Sequence, residues 1–354
     1  MHTIRSLATA ELESTLSAAD TREFLSSILP PADAERFQRL VDASRIRERH
    51  VLAPYDELRR LSTLDARNAL YVAHATPIGE RVARDVLGRA GLEASDVDVL
   101  IVASSTGYTV PTLDQHLATR LGLRPDARCL FLAGLGCAGA VRAIGLAGDL
   151  LSVNAAAGHG LVVSVELCSP WLQVTEPSPE DILSNIVFGD GAAAVVIDGR
   201  SGTAGPTVVA SYTELWPQSL RARGATLTQS GFRHFASPTL PRLLRAHLRR
   251  TVEGFLTKHG VATPDLSFYA VNPSDHRVLE AVASVLDIPD DLMRPAWTTW
   301  EQHGNTLSAG PLYVVDALRR LAPPTSGNLG LAVVLGPGLT CDLTLLRWQG
   351  EALH

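Results

Sequence analysis

Residues 128–153 read RCLFLAGLGCAGAVRAIGLAGDLLSV. The first ten, RCLFLAGLGC (128–137), form an apolar run that turns through glycines. The rest, AGAVRAIGLAGDLLSV (138–153), has helical spacing and is apolar almost all round. A strand-like run feeding a helix buried on all sides is a building unit of an α/β protein. Outward from it, VDVLIVASS (97–105), GLVVSVELC (160–168) and AAAVVID (192–198) read as further buried strands, and TLDQHLATRLGL (112–123) as a helix. The stretch up to about residue 75 reads as helix-rich and charged. Within it, PPADAERFQRLVDASRIRERHV (30–51) looks like an amphipathic helix followed by a basic edge.

The same unit occurs twice. SDVDVLIVASS (95–105) resembles PDLSFYAVNPS (264–274), LGCAGAVRAIGLAGDLL (135–151) resembles HGNTLSAGPLYVVDALRRL (303–321), and GHGLVVSVELC (158–168) resembles GNLGLAVVLGP (327–337). Matched residues lie 169 (Asp96 to Asp265), 168 (Cys137 to Asn305) and 170 (Gly160 to Gly330) positions apart. Three blocks in one order at one offset make the chain two copies of a strand–helix unit, residues 1–205 and 206–354, packed about a pseudo-twofold axis. The axis places Cys137 and Asn305 at equivalent strand-to-helix turns. Burial of each copy's apolar helix by the other explains the duplication, but not why one turn carries a thiol and the other a carboxamide.

Composition bounds the function. The 354 residues are 46% hydrophobic and 19% charged, with mean hydropathy +0.12, so the chain is globular and long enough for a large core. Thirty-one basic against 37 acidic residues give a net charge of −6 with no basic tract, which argues against nucleic acid or an anionic membrane as partner. Four cysteines, Cys129, Cys137, Cys168 and Cys341, are too few for a disulfide scaffold and read as reduced thiols. No run reaches the length of a membrane span. The start, MHTIRSLATAELEST, lacks a basic-then-apolar leader, so the expected location is cytoplasmic. The eleven histidines show no HExxH and no paired Cys/His spacing, so no metal site is expected. No Walker loop and no GxGxxG after a strand supports nucleotide chemistry.

Cys137, in GLGCAGA, is the leading nucleophile candidate. Small neighbours admit a substrate carbonyl, and unpaired N–H groups at a helix start favour a thiolate and an oxyanion. The competing reading is a small buried hydrophobe. Asn305, in HGNTLSAG, reads either as a helix N-cap or as a carboxamide donor toward a developing enolate or thioester oxygen. FGDG (188–191) and LGPGLT (335–340) are glycine turns.

At GLGCAGA, VVSVELCS, FGDGAAAVV, HGNTLSAGPL and GPGLT the chain resembles the type III polyketide synthases, chalcone synthase-like enzymes of the thiolase fold. VELCSPWLQ is most similar to the bacterial branch that makes alkylpyrones and alkylresorcinols. The resemblance runs from about residue 35 to 345. It implies a homodimer of five-layered αβαβα subunits and a pantetheine tunnel. It also implies an acyl group delivered by coenzyme A or an acyl carrier protein and held on Cys137, with no resident cofactor and with malonyl-CoA as a possible extender. Of the family's Cys–His–Asn set, the Cys matches Cys137 and the Asn matches Asn305. Phe188 matches the aromatic that gates the tunnel. Arg36 and Arg39 match two positions that hold coenzyme A phosphates, and the third basic position there falls on Ala43.

The family's catalytic His falls on Asn272, in AVNPSDHRVL. An amide donates a hydrogen bond but neither takes a proton nor carries charge; losing an acid–base group costs about 100- to 10,000-fold. His276, His234 and His303 are the candidate substitutes. His276 lies one helical turn beyond Asn272, His234 near a family pocket aromatic, and His303 two residues before Asn305, so that it would share a strand face with it. Trp171 falls where the family keeps a smaller tunnel residue, which points to a short or reshaped cavity. Three functions are therefore open: a malonyl-condensing synthase, a non-decarboxylating acyltransferase to an O, N or C nucleophile, and a partner subunit of an active synthase.

Overall fold

The computed structural model describes residues 1–153, 158–173, 177–199 and 204–350. The N-terminal stretch is helix-rich as expected, but it opens on a strand: His2–Thr9 is β1, in the middle of the main sheet. Its polar residues hide it from a hydrophobic pattern, and two of them are buried with a partner. Thr3 Oγ1 meets Thr207 Oγ1 at 2.9 Å, and Ser6 Oγ donates to the Val86 carbonyl at 2.9 Å. There follow β2 (Ser14–Ser17), α1 (Ala18–Ile28), α2 (Pro31–Ser44), β3 (Glu48–Val51) and the one-turn α3 (Tyr55–Leu58). The expected basic edge after α2 is instead β3, with Arg49 buried inside. Arg49 donates to the Phe188 carbonyl (2.7 Å), Tyr55 Oη (2.8 Å) and Thr21 Oγ1 (3.1 Å), which fastens the N-terminal layer to FGDG.

The first copy of the repeat comprises α4 (Leu64–Ala90), β4 (Val97–Ser104), α5 (Leu113–Leu121), β5 (Arg128–Ala133), α6 (Gly139–Ser152), β6 (His159–Glu166), α7 (Pro179–Val187) and β7 (Gly191–Asp198). The second comprises β8 (Gly205–Leu215), the hairpin β9 (Arg223–Thr228) and β10 (Gly231–Ala236), α8 (Leu240–Lys258), β11 (Leu266–Val271), α9 (His276–Leu286), α10 (Asp290–His303), α11 (Gly310–Leu321), β12 (Leu329–Leu335) and β13 (Thr340–Gln349). Order matches between copies: a 3-10 turn leads into β4 and β11, another into α6 and α11, and two more strands follow each helix.

The main sheet runs β11-β12-β13-β8-β1-β7-β6-β4-β5, parallel at β11–β12, β6–β4 and β4–β5 and antiparallel elsewhere. Its two wings meet at β1–β8, where only His2↔Val208 and Thr3↔Thr207 pair. Five layers result. Helices α4 and α5 cover one wing, α6 and α11 fill the space between wings, and α8 to α10 close the other side. The inner helices are buried because both wings press on them: α6 hides Ala140, Ala143, Ile144, Ala147 and Leu151, and α11 hides Leu312 to Leu318. Among the described residues no helix is long and apolar enough to cross a membrane.

Candidate active site

The inner helices start at the same level, and the turns before them touch. Cys137 sits in the 3-10 turn Gly136–Ala138 ahead of α6, and Asn305 just before the turn Leu307–Ala309 ahead of α11. Gly136 has φ +48, and a Cβ there would lie 2.8 Å from Pro337 Cγ, so only glycine lets the GPGLT loop close over the turn. The Cys137 side chain is 3% exposed and its thiol lies 3.9 Å from Asn305 Oδ1, to which it donates. Burial pushes the thiol's pKa up. The Arg223 charge and the Asn272 carboxamide pull it down without winning, and Glu166 adds to the rise. The resting sulfur is therefore a neutral thiol: the helix start favours a thiolate, but burial outweighs it. That turn has already used donors: Gly136 N–H goes to Ser105 Oγ (2.9 Å) and Ala138 N–H to the Leu135 carbonyl (3.1 Å).

Asn305 is 1% exposed and held at both ends of its amide: Nδ2 donates to the Ser274 carbonyl (3.1 Å) and Oδ1 accepts from Leu307 N–H (3.0 Å). A flipped amide would oppose like groups at both contacts, so the orientation is fixed. In the resting site it presents oxygen to the sulfur, while one N–H of Nδ2 remains uncommitted and available as a donor. The free amide is Asn272, just beyond β11. It is 3% exposed and stands beside the Cys137 sulfur, and neither Nδ2 nor Oδ1 completes a hydrogen bond with a protein group. Its oxygen lies against the bare Cα of Gly310, where a Cβ would come within 2.7 Å. An unsatisfied buried amide costs about 1–3 kcal/mol, which a bound carbonyl or enolate oxygen would relieve.

The sulfur opens into a cavity of about 420 Å³. Phe188 and Trp171 line it as expected, Phe188 stacked at a tilt on His234 (4.2 Å) and Trp171 edge-on to Phe232 (5.0 Å). Trp171 Nε1 donates to the Thr106 carbonyl, so the indole is pinned in the wall. His234, from β10, lines the cavity too, but burial and the Arg223 charge take its pKa down to about 4, so it is neutral near pH 7. The hairpin β9–β10 supplies Arg223, Phe232, His234 and Phe235, and Cys168 adds a second thiol, whose pKa burial pushes well up. Behind the wall, Glu166 accepts from Ser105 N–H (2.9 Å) and Ser308 Oγ, and its burial takes the carboxyl up to about 7.

The other expected residues fall elsewhere. His303 is the last residue of α10, not on a strand. Gly304 (φ +62) turns the chain before Asn305, and the imidazole packs between His50 (5.5 Å) and Tyr313 (4.6 Å). His276 starts α9, 3.6 Å from Asp275, and does not line the cavity. Arg36 and Arg39 are exposed on α2 and contribute nothing to the lining. Cys129 is half-buried in β5 and Cys341 buried in β13. Sequence reasoning missed Glu166 and Arg223. A carboxylate inside the apolar run GLVVSVELC was a visible signal for the first. Nothing in SLRARGATLT (219–228) marked the second.

Comparison with known proteins agrees with this layout. Residues 25–201 match the family model for chalcone and stilbene synthases, N-terminal domain, and 207–349 that for the C-terminal domain. The 1,3,6,8-tetrahydroxynaphthalene synthase of Streptomyces peucetius subsp. caesius is 32% identical over 340 residues, 93% of this chain and 89% of that one. An alpha-pyrone synthesis polyketide synthase-like protein of Mycobacterium tuberculosis is 27% identical over 352 residues, 96% and 89% of the two chains. The crystal structure of 1,3,6,8-tetrahydroxynaphthalene synthase from Streptomyces coelicolor A3(2) superposes with TM-score 0.93 at 27% identity, over 99% of this chain and 100% of that one.

Proposed function

Because the chain belongs to the chalcone and stilbene synthase family, the type III polyketide synthases, we propose that it takes an acyl group from a coenzyme A thioester onto Cys137 and extends it with malonyl-CoA. The observation that carries this is the meeting of Cys137, Asn272 and Asn305, with the Cys137 sulfur on the wall of a largely apolar cavity. In loading, the sulfur attacks the thioester carbonyl and the C–S bond to coenzyme A breaks. The thiol proton leaves with the departing coenzyme A. In extension, malonyl thioester loses carbon dioxide, and the enolate carbon forms a C–C bond to the acyl carbonyl. Cys137 is released and regains a proton. The unpaired Asn272 N–H and the remaining Asn305 N–H are the donors to the enolate oxygen. Arg36 and Arg39, exposed on α2, are the proposed contacts of coenzyme A phosphates. The proposed oligomer is a homodimer. Val72, Tyr108 and Val110 are exposed where α4 meets the loop after β4, and an apolar patch there suits a second subunit.

Asn272 supports a second reading. With amide in place of imidazole, transfer of the acyl group to an external nucleophile needs no decarboxylation. Intact-protein mass spectrometry with acyl-coenzyme A thioesters, with and without malonyl-CoA, separates the two. Condensation predicts an acyl mass on Cys137 that grows and releases carbon dioxide when malonyl-CoA is added. A stable acyl adduct with no growth and no carbon dioxide favours simple transfer. No adduct, or an adduct that survives Cys137→Ala, would overturn both.

A further inference from the structure

Among the described residues lining the cavity, Arg223 carries the only formal charge near pH 7. It is the first residue of β9, half-buried, and among the described residues its guanidinium makes one hydrogen bond, a long 3.4 Å contact from Nη2 to the Ser274 carbonyl. No carboxylate among the described residues pairs with it. The carboxylates around the cavity are committed: Asp275, next to Ser274, pairs with Arg277 at 3.1 Å, Asp181 caps α7 through Ser178 and pairs with Arg233 at 3.2 Å, and Glu166 is held behind the wall by Ser105 and Ser308. The remaining polar lining is uncharged: Ser105 Oγ receives Gly136 N–H, Thr106 Oγ1 receives Leu167 N–H, and His234 is neutral near pH 7. Trp171, Phe188, Phe232, Leu307 and Leu335 make up most of the rest. A guanidinium facing apolar walls without a counter-ion is an anion site, because its fork matches a carboxylate and the surroundings screen it poorly.

The place of the charge narrows the anion. The Ser274 carbonyl that takes Arg223 also takes Asn305 Nδ2, and Asn305 Oδ1 is 3.9 Å from the Cys137 sulfur. The cation therefore stands on the sulfur's side of the cavity, and the proposed phosphate contacts Arg36 and Arg39 are not part of its lining. A guanidinium also stabilises a carboxylate as a carboxylate, which opposes its departure as carbon dioxide. It therefore suits a carboxylate that is retained, not that of a decarboxylating extender. We propose that Arg223 anchors a terminal carboxylate on the acyl group carried by Cys137, so that the substrates are monothioesters of short dicarboxylic acids. This rests on the reading of Cys137 as acyl carrier.

The test is the rate of Cys137 acylation, followed by intact mass, for chain-matched thioesters: succinyl-CoA against butyryl-CoA and glutaryl-CoA against pentanoyl-CoA. Wild type is expected to favour the better-fitting dicarboxylic member of a pair at least tenfold, and less so as salt is raised. Arg223→Gln should abolish the preference while still loading the methyl-ended thioester, which also reports that the variant is folded, and Arg223→Lys should keep part of it. Equal rates for both members of each pair in wild type would overturn this inference and leave the acyl-carrier reading standing. Failure of every thioester to load would overturn that reading and this inference together.

Discussion

The chemistry of Cys137 turns on which of two opposing effects is larger. The helix start, Arg223 and Asn272 favour the thiolate; complete burial disfavours it and prevails, holding the pKa above the ordinary thiol range. Alkylation follows the thiolate fraction, so iodoacetamide should modify Cys137 slowly at pH 6–8 and faster as pH rises further. Asn272→His places an imidazole beside the sulfur. Its protonated form would pair with the thiolate and move the alkylation curve to lower pH. The measurement is the rate of mass addition against pH in a Cys168→Ala background, since Cys168 lines the same cavity. A wild-type profile already flat down to pH 6 would refute the neutral-thiol assignment.

The elements that hold the site are two short turns, and glycine makes them possible. Gly136→Ala forces a side chain into φ +48 and sets Cβ 2.8 Å from Pro337 in the loop before β13. Strain and overpacking of this kind cost about 1–3 kcal/mol each. The expected outcome is a lower melting temperature together with slower acyl loading, because the same turn carries the sulfur. A control at Gly88, where a Cβ meets nothing within 4 Å in the middle of the last turn of α4, should melt like wild type or slightly above. Equal effects at both positions would show that the turn has room that its backbone geometry denies. The hairpin β9–β10 is the second such element. It brings Arg223 and His234 to the cavity from a stretch whose sequence shows only strand propensity.

At the scale of the molecule, the two halves together create an environment that neither makes alone. Glu166 belongs to β6, yet it is desolvated partly by the turn before α11, whose Ser308 donates to it. Its carboxyl moves from 4.5 to about 7 in the folded state. A raised folded pKa contributes stability that is fully present below 4.5 and lost as pH climbs through 7, on the order of 3 kcal/mol by linkage. Buried His234 and His303, at about 4 against 6.5 unfolded, act in the opposite sense and lose stability as pH falls from 6.5 through 4. Comparing Glu166→Gln with wild type isolates the carboxylate: the variant's melting temperature should gain several degrees on wild type between pH 5 and pH 8. A difference independent of pH would mean that Glu166 titrates normally. The strand–helix alternation, the duplication, the inner helices and the thiol and carboxamide at matched turns were legible in the chain, because each rests on local spacing or on one segment's likeness to another. β1 was not, since its buried Thr3 and Ser6 are satisfied by residues some 80 to 204 positions away. The orientation of Asn305, the isolation of Asn272, the neutrality of His234 and the lone charge of Arg223 were also out of reach. Each is set by which distant groups close around it and exclude water. Sequence by itself determined the family and the architecture and singled out Cys137 as the candidate nucleophile; tertiary structure alone decided the protonation and pairing of the groups facing that thiol, because desolvation and hydrogen-bond geometry are properties of the assembled walls.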